Sequence, residues 1–329
     1  MSGRYNRQEI IPDWDQDSLA EAHVLVLGVG ALGSYLSVNL ALAGVGNLHL
    51  VDFDTIELSN LNRQLLFTEE NIKENKAVVA AKKLKLLNPE INIYSYPNAM
   101  DKLPKEVIEK ITVIACCLDN YEGRRWANSL AVREKIPMVT AGMYAMMGDV
   151  QTIIPFKSPC FECQTLLTPD KLQQACSPIG EERKAKIEKP PPPLPSVSTT
   201  SSIIAGIQSQ EILKLILKIG KPIGNYFTLD ALTNNYLMIP LQRKHHDCPM
   251  CGSIYKSEKQ TVLGNKGETI REFKYRIALS LGLADPLLMT RGKFLQDDEK
   301  LSLKADSKIF ISDERLAKPL ILILKYDRR

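Results

Sequence analysis

Short apolar runs alternate with segments of helical periodicity between residues 24 and 155. Short apolar runs are typical of buried strands, whereas apolar residues that recur every three or four positions indicate helices. The predicted strands are Val24–Leu27, Leu48–Val51, Ile91–Ser95, Thr112–Leu118, Met138–Ala141 and Val150–Ile154. The predicted helices are Leu32–Ala43, Lys76–Leu87 and Arg124–Glu134. This alternation predicts an α/β fold with an open, mostly parallel sheet that helices cover on both faces.

The pattern changes between residues 156 and 195, where prolines and charged residues are frequent. The run Pro190–Pro193 predicts extended backbone, and the whole stretch is expected to form a long crossing loop. Helical periodicity and then two strands follow at Ile203–Ile219, Tyr226–Leu229 and Tyr236–Pro240. These elements complete a first predicted domain, residues 1–255.

A separate pattern begins near residue 261. A helix with an apolar face of Phe273, Ile277 and Leu281 is followed by short apolar runs. The predicted strands here are Leu287–Thr290, Phe294–Leu295, Ile309–Ile311 and Leu320–Leu324. One helix with several short strands in so few residues predicts a small α+β domain of the β-grasp type over residues 261–329.

Three glycines mark the turn between the first predicted strand and the helix after it. Gly28, Gly30 and Gly33 form a Gly-x-Gly-x-x-Gly pattern, which lets a phosphate approach the backbone and the free N–H groups of the helix N-terminus. Asp52 ends the second strand, where a carboxylate can hold ribose hydroxyl groups. These residues predict a Rossmann-like nucleotide site. On their own they leave a nicotinamide- or flavin-dependent enzyme open.

Polar residues beyond the second strand favour a triphosphate over a dinucleotide. Asn60, Arg63 and Lys76 bring amide donors and positive charge to the carboxyl edge of the sheet, although such residues are also common on solvated surfaces. Asp119 directly follows the fourth predicted strand. Its carboxylate is equally suited to hold Mg²⁺ against phosphate oxygens or to cap the next helix.

Four of the seven cysteines form two Cys-x-x-Cys pairs, Cys160 with Cys163 and Cys248 with Cys251. Four thiolates can close a tetrahedral zinc site, and a site with no open position has a structural role. One pair alone would instead suit a redox dithiol. The two pairs together therefore predict structural zinc.

The other three cysteines are not paired in this way. Cys116 and Cys117 lie within a predicted apolar strand and are expected to be buried packing residues. Cys176 lies in a polar loop, where it is suited to act as a nucleophile if nearby positive charge favours the thiolate. The alternative for Cys176 is an inert surface thiol.

Composition and charge argue against several classes of protein. The chain has 329 residues, 44% of them hydrophobic, and a formal net charge of +4. No basic block or RNA-binding aromatic motif indicates nucleic-acid binding. No stretch reaches the roughly 18 apolar residues of a membrane-spanning helix, and the polar N-terminus does not resemble a signal peptide. We therefore expect a cytoplasmic protein with no nucleic-acid partner and no membrane partner.

Several motifs occur in a fixed order along residues 4–252. They are Arg4–Gln8, the glycine turn, Val51–Asp54, Asn60–Gln64, Lys76, Asp119–Asn120 and the paired Cys-x-x-Cys sequences. Together they resemble the E1-like superfamily, which comprises the ubiquitin-activating enzymes and the MoeB/ThiF activators of sulfur-carrier proteins. The resemblance implies an adenylate-forming enzyme that uses ATP and Mg²⁺ and holds a structural Zn²⁺ ion.

The resemblance also implies roles for individual residues. The implied nucleotide site consists of Gly28, Gly30, Ala31, Gly33, Asp52, Asp54, Asn60, Arg63, Gln64, Lys76, Asp119 and Asn120, and the implied zinc ligands are Cys160, Cys163, Cys248 and Cys251. Asp52 would hold the ribose. Asn60, Arg63 and Lys76 would contact the phosphates, and Asp119 would bind Mg²⁺.

The implied substrate is a ubiquitin-like protein that ends in Gly-Gly. Its terminal carboxylate would attack the α-phosphate of ATP and give an acyl-adenylate and pyrophosphate. Cys176, in a catalytic-cysteine or crossover loop at about residues 164–200, would then hold the substrate as a thioester. Arg7 would reach the nucleotide site of a neighbouring subunit, which implies a homodimer.

The segment from Thr269 to Leu301 is similar to ubiquitin, and ubiquitin-activating enzymes end in a ubiquitin-fold domain that recruits an E2 conjugating enzyme. We therefore expect a compact, single-chain E1 that passes its modifier to an E2-like enzyme. One alternative is an adenylyltransferase that serves a sulfur carrier in molybdopterin or thiamine synthesis. The other is a non-catalytic nucleotide-binding subunit, which the presence of Arg63, Lys76 and Asp119 argues against.

Overall fold

The computed structural model describes residues 3–163, 195–224, 226–241, 248, 250–251, 260–265, 267–281, 283, 285–290, 293–313 and 320–326. The strands of its larger sheet are β1 (His23–Leu27), β2 (Asn47–Val51), β3 (Asn92–Tyr96), β4 (Val113–Cys116), β5 (Met138–Tyr144), β6 (Met147–Ile153), β7 (Tyr226–Asp230) and β8 (Asn235–Ile239). They lie in the order β3-β2-β1-β4-β5-β6-β7-β8. β1 to β5 are parallel, and β6 to β8 extend the sheet by antiparallel pairs. The predicted α/β sheet is confirmed.

Helices cover both faces of this sheet. They are α1 (Gln16–Glu21), α2 (Ala31–Ala43), α3 (Lys76–Leu87), α4 (Lys105–Ile108), α5 (Tyr121–Glu134) and α6 (Ser198–Leu217). Alternate residues of β1 point to opposite faces. Val24 and Val26 belong to the core that includes α2, α3 and α6, whereas Leu25 and Leu27 belong to the core that includes α5. Among the described residues, no helix has the length and hydropathy needed to cross a membrane.

Two helices illustrate why some boundaries are predictable and others are not. α3 occupies the predicted range because Asn75 caps its first turn and Pro89 follows soon after its end. α6 begins at Ser198, ahead of the predicted Ile203. Its first residues are serine and threonine, and the Ser201 hydroxyl donates back to the Val197 carbonyl. Such polar residues carry no apolar periodicity, so the sequence pattern misses this turn.

A second, smaller sheet is formed by residues in the C-terminal part of the chain. Its strands are β9 (Gln260–Gly264), β10 (Leu287–Thr290), β11 (Lys293–Phe294), β12 (Lys308–Ser312) and β13 (Leu320–Tyr326), in the order β11-β10-β12-β13-β9. The accompanying helix, α7 (Ile270–Leu281), buries Phe273 and Ile277 as predicted. β9 and β13 pair in parallel, and α7 follows β9 in the chain. This is the α+β arrangement expected of a β-grasp fold.

His49 is a titratable side chain in the core of the larger sheet. The residue is 3% exposed, with its Nε2 3.0 Å from His23 Nδ1 and its Nδ1 3.1 Å from the Tyr96 hydroxyl oxygen. Burial, helped by the charges that His23 and Lys110 can carry, lowers the pKa of His49 to about 4. The folded protein therefore keeps this imidazole neutral at a pH where an exposed histidine would be protonated.

We expect acid to destabilise the fold between pH 6.5 and about pH 4. Because the pKa of His49 is lower in the folded chain than the ordinary 6.5, the stabilisation is complete above pH 6.5 and is lost as the pH falls toward 4. Urea unfolding should show a loss of about 2 kcal/mol from this group between pH 7 and pH 5. His49→Gln keeps a donor and an acceptor but does not titrate. An equally steep pH dependence in that variant would contradict the assignment.

Candidate functional site

A cavity of about 500 Å³ opens at the carboxyl ends of β1, β2 and β4. Open α/β sheets bind ligands at this edge, and the volume is that of a small-molecule site. The cavity brings together almost all of the predicted nucleotide-site residues: Gly28, Gly30, Ala31, Asp52, Asp54, Asn60, Arg63, Gln64, Lys76, Asp119 and Asn120. Gly33 is the exception, because it lies behind the cavity wall.

The glycine turn forms one wall of the cavity. Gly28 has a φ of +87°, and its carbonyl oxygen lies only 2.0 Å from where a Cβ on Gly33 would be. Gly33 therefore acts by letting α2 pack against the turn rather than by touching a ligand. Gly30 is the N-cap of α2, and no described side chain caps the helix there. The first N–H groups of α2 are thus available to an anion.

Asp52 is held in one orientation at the end of β2. The Val29 N–H donates to its Oδ2 at 2.7 Å, and the Asp54 N–H donates to its Oδ1 at 2.9 Å. Burial raises the pKa of this carboxyl group, while the Lys76 charge and the two N–H groups act in the opposite direction. Each carboxylate oxygen keeps a further lone pair, which can accept a hydrogen bond from a sugar hydroxyl.

Lys76 supplies a buried positive charge across the cavity from the turn. It is the first residue of α3, is 7% exposed, and has its Nζ 3.0 Å from Asp54 Oδ2. Asn75 fixes this end of the helix, since its Nδ2 donates to the carbonyl oxygens of Asp52 and Asp54. Among the described residues Asp54 is the one carboxylate that pairs with this ammonium group, and such a buried charge is well suited to a phosphate.

Asn60 and Gln64 lie in the loop after β2 and are both buried. The Asn60 Oδ1 accepts a hydrogen bond from the Glu57 N–H at 3.1 Å, so this oxygen stabilises the loop. Gln64 differs, because its Oε1 has no hydrogen-bond partner within the described part of the chain. A buried amide oxygen without a partner in a cavity wall is accounted for when a ligand or a water molecule donates to it.

Arg63 reaches the cavity from the same loop. Its Nη1 donates to the Ser59 carbonyl at 2.7 Å and to Asn62 Oδ1 at 3.0 Å. Both partners are neutral and belong to the loop itself. The guanidinium therefore brings positive charge and further donors to the cavity without being committed to the rest of the fold.

Asp119 and Asn120 follow β4 and have separate roles in the structure. The Asn120 Oδ1 accepts from the Gly123 N–H at 2.6 Å and caps α5. The alternative in which Asp119 caps this helix is therefore wrong, and Asn120, which also lines the cavity, keeps its amide N–H groups for a ligand. Asp119 is exposed and lines the cavity. Its carboxylate is available to a cation.

The charges around the cavity do not favour a polyphosphate by themselves. Among the described residues that line it, the carboxylates of Asp52, Asp54, Glu57 and Asp119 outnumber the cationic groups of Arg63, Lys76 and Arg124. A polyanion bound here would be repelled unless it brought a divalent cation with it. The donor set fits Mg²⁺, which prefers one or two carboxylates together with phosphate oxygens.

Two predicted catalytic residues are not part of this cavity as described. Arg7 lies in the N-terminal segment, is exposed and does not line the cavity of its own chain. Cys176, with the loop at residues 164–194, lies outside the described residues. Pro195 and Ser196, which directly follow that loop, do line the cavity. Sequence reasoning also missed Arg124 and Met143, which line the cavity but belong to no recognisable motif.

The four paired cysteines meet in one buried cluster. Their Sγ atoms all lie within 4.8 Å of one another, with Cys160 3.8 Å from Cys163 and 3.7 Å from Cys248. The Cys163–Cys251 separation is 3.3 Å. Four sulfurs bound to zinc at about 2.3 Å in a tetrahedron lie about 3.8 Å apart. The cluster therefore fits a structural Zn²⁺ ion, and Cys116 and Cys117 are buried elsewhere, as predicted.

The first cysteine pair is attached to α5. Glu162, between Cys160 and Cys163, forms a buried ion pair with Arg125. The Phe161 N–H donates to Asn128 Oδ1 at 3.1 Å. Because α5 begins next to Asp119, these contacts join the cysteine cluster to the helix that starts at the cavity.

Comparison with known proteins agrees with this architecture. A sulfur carrier protein adenylyltransferase from Thermus thermophilus is 32% identical over 267 residues, which cover 76% of this chain and 90% of that protein. The NEDD8-activating enzyme E1 catalytic subunit of Schizosaccharomyces pombe is 25% identical, over 85% of this chain and 80% of that protein. A crystal structure of E. coli MccB with MccA-N7isoASN has a TM-score of 0.63 at 24% identity, covering 77% of this chain and 76% of that chain. This last likeness concerns the fold alone.

The family-level match spans the cavity and three of the four clustered cysteines. The model described as the ThiF family matches residues 5–250, which include the glycine turn, Lys76, Asp119 and the first cysteine pair. The predicted resemblance to the E1-like superfamily is therefore confirmed, and the chain belongs to the ThiF family.

Proposed function

We propose that this protein uses ATP to adenylate the C-terminal carboxylate of a small carrier protein, with release of pyrophosphate. The observation that carries the proposal is the cavity at the carboxyl edge of the sheet. It combines an uncapped helix N-terminus, a fixed carboxylate, two cationic side chains and an available carboxylate. Pro195 and Ser196 form part of its wall.

The chemistry requires two anions to meet. A carboxylate attacks the α-phosphorus of ATP, forms a C–O–P bond and displaces pyrophosphate, so the enzyme must hold the reactants close and offset their repulsion. In this proposal Asp52 holds the ribose, the N-terminus of α2 and Lys76 hold phosphate oxygens, and Arg63 stabilises charge on the leaving group. Asp119 holds Mg²⁺, which neutralises phosphate charge when bound.

The carrier that we favour is a sulfur-carrier protein. The sequence motifs favour a ubiquitin-type modifier as the substrate. The sulfur carrier protein adenylyltransferase of Thermus thermophilus, however, is 32% identical to this chain. That relative covers 76% of this chain. Adenylation of a sulfur carrier needs the cavity and the cysteine cluster, and it does not require Cys176 to form a thioester.

The second candidate is a compact E1 that transfers a ubiquitin-like modifier ending in Gly-Gly to an E2-like enzyme. The observation in its favour is the second sheet with α7, which lies beyond residues 5–250 of the family match. In this proposal residues 1–255 form the adenylation domain and residues 261–329 bind the E2. Cys176 carries the thioester, and Arg7 completes the site of a homodimer partner.

Intact mass spectrometry distinguishes the two candidates. The protein is mixed with Mg-ATP and a Gly-Gly-ended carrier under non-reducing conditions, beside the Cys176→Ala variant. For a sulfur-carrier adenylyltransferase we expect carrier-dependent release of pyrophosphate and a carrier that is heavier by one adenylyl group, with no carrier attached to the enzyme. A thiol-sensitive adduct that Cys176→Ala lacks would identify the E1. If neither the sulfur-carrier nor the ubiquitin-like partner stimulates pyrophosphate exchange, the adenylation proposal fails.

A further inference from the structure

An arginine in the cavity wall is paired with a carboxylate behind it, and neither residue belongs to a motif identified in the sequence. Arg124, in the first turns of α5, lines the cavity. Asp149, on β6, faces it with its Oδ2 3.8 Å from Arg124 Nη1. The side chains are only 15% and 22% exposed, so the pair lies largely within the protein.

Arg124 links two neighbouring strand ends. Its Nε donates to the Leu118 carbonyl at 2.8 Å, and its Nη2 donates to the Ala141 carbonyl at 2.8 Å. The Leu118 carbonyl directly precedes Asp119, and Ala141 belongs to β5. The guanidinium therefore ties the turn that carries Asp119 to the adjacent strand. We call this set of contacts the Arg124 clamp.

The position of Asp149 is built into the sheet. Gly142 on β5 is paired directly with Asp149 on β6. A Cβ on Gly142 would lie 2.2 Å from Arg124 Nη2 and 2.7 Å from Asp149 Oδ1, so a larger residue at this position would displace the ends of both side chains.

Among the described residues, Asp149 is the carboxylate that forms an ion pair with Arg124 of the clamp. The carbonyls of Leu118 and Ala141 are neutral, so they orient the guanidinium without balancing its charge. The Tyr226 side chain, on β7, lies next to the Asp149 carboxylate. Burial raises the pKa of Asp149, while the Arg124 charge and the Tyr226 hydroxyl act in the opposite direction.

We propose that Asp149 is a positioning residue: its carboxylate holds Arg124 in the clamp, and the clamp fixes Asp119 at the cavity. The catalytic part of this inference rests on the proposed adenylation, because Asp119 is assigned to the Mg-ATP complex there. The positional part concerns only the turn between β4 and α5.

Hydrogen–deuterium exchange tests the positional part directly. Asp149→Asn keeps the shape of the side chain and removes its charge. We expect amide exchange in peptides covering residues 117–124 to become about tenfold faster, with no change at the start of α3. The matched control is Glu109→Gln, which removes the carboxylate of an exposed ion pair with Lys105 on α4. Unchanged exchange at residues 117–124 in Asp149→Asn would overturn the proposal.

Pyrophosphate exchange tests the catalytic part. In Asp149→Asn we expect kcat to fall about ten- to a hundredfold, since misplacement of a site group by about 1 Å has effects of this size, while the KM for ATP changes much less. In an Arg124→Gln background, Asp149→Asn should cause no additional loss, because both changes open the same clamp. Additive losses would overturn the assignment. If the wild-type protein shows no pyrophosphate exchange, the adenylation proposal fails but the clamp proposal does not. Hydrogen–deuterium exchange still tests whether Asp149 holds the clamp.

Discussion

Arg63→Ala is expected to slow pyrophosphate exchange about a hundred- to a thousandfold and to leave the thermal stability almost unchanged. Removing one preorganised charge from a site where charge develops has an effect of this size. The fold is expected to tolerate the change because, within the described part of the chain, Arg63 bonds to Ser59 and Asn62 of its own loop and to nothing else. Exchange of labelled pyrophosphate into ATP and a melting curve on the same sample measure both effects.

Arg133→Ala provides the matched control for Arg63. Arg133 lies on α5, pairs with its neighbour Glu134 and is 44% exposed. It does not line the cavity, so its loss should affect neither exchange nor melting. Exchange at a near-normal rate in Arg63→Ala would remove this residue from the nucleotide site. A loss of both activity and melting temperature would show that Arg63 acts through the fold.

Cys160→Ala is expected to release the metal and to lower the melting temperature by about 10 °C. Binding of a structural zinc ion contributes roughly 10 kcal/mol or more to the folding of small zinc domains, and a loss of about 7 kcal/mol corresponds to a shift of about 10 °C in a chain of this length. The remaining thiols at Cys163, Cys248 and Cys251 would lie close together with no cation between them. Zinc per chain, measured by mass spectrometry of the element, and a melting curve give the result.

Cys116→Ala separates metal binding from thiol packing. Cys116 is also buried, but it lies on β4 and outside the four-cysteine cluster. This variant loses a similar side-chain volume, so it should melt slightly earlier than wild type and still bind one zinc ion per chain. Equal zinc content in Cys160→Ala and wild type would contradict the proposed metal site.

The parts of the fold that sequence predicts well are those with local causes. β1, α2 and α3 are defined by apolar periodicity, a glycine turn and an Asn cap, all within a few residues of each element. β9 escapes prediction because its short sequence, Gln260–Gly264, is stabilised by pairing with β13 far along the chain. Short α1 depends on Asp15, whose carboxylate accepts from two N–H groups, and has too little periodicity to be recognised.

The residues of the nucleotide cavity likewise fall into some that local sequence predicts and others that it does not. The residues at its glycine wall and at the ends of β1 and β2 could be assigned from sequence, because parallel strands bring their carboxyl ends to one edge. Which of Asp119 and Asn120 caps α5 could not be assigned from sequence, because both residue types are good helix caps. The path of the backbone decides that Asn120 accepts from the Gly123 N–H. The pairing of Arg124 with Asp149 depends on the register of β5 and β6.

The spacing of the cysteines in the sequence does not by itself predict that the two pairs meet in one cluster. Each Cys-x-x-Cys pair is visible in the sequence, but 88 residues separate Cys160 from Cys248. Their convergence depends on where β6 ends and on the path of the chain after β8. The contact of Glu162 with Arg125 has no sequence signature, because either residue would otherwise be expected on a solvated surface.

The place of β13 in the smaller sheet determines when this sheet can be completed during synthesis of the chain. β13 lies between β12 and β9, although it is the last of the described strands to be synthesised. Until residues 320–326 have emerged, β9 and β12 each have an open hydrogen-bonding edge, and such edges recruit foreign strands. The sheet is therefore completed in one late step. In a nascent chain that stalls before Leu320, those two strand edges stay exposed to chaperones and proteases. Synthesis of β13 therefore ends the period in which the smaller sheet is open to aggregation and degradation.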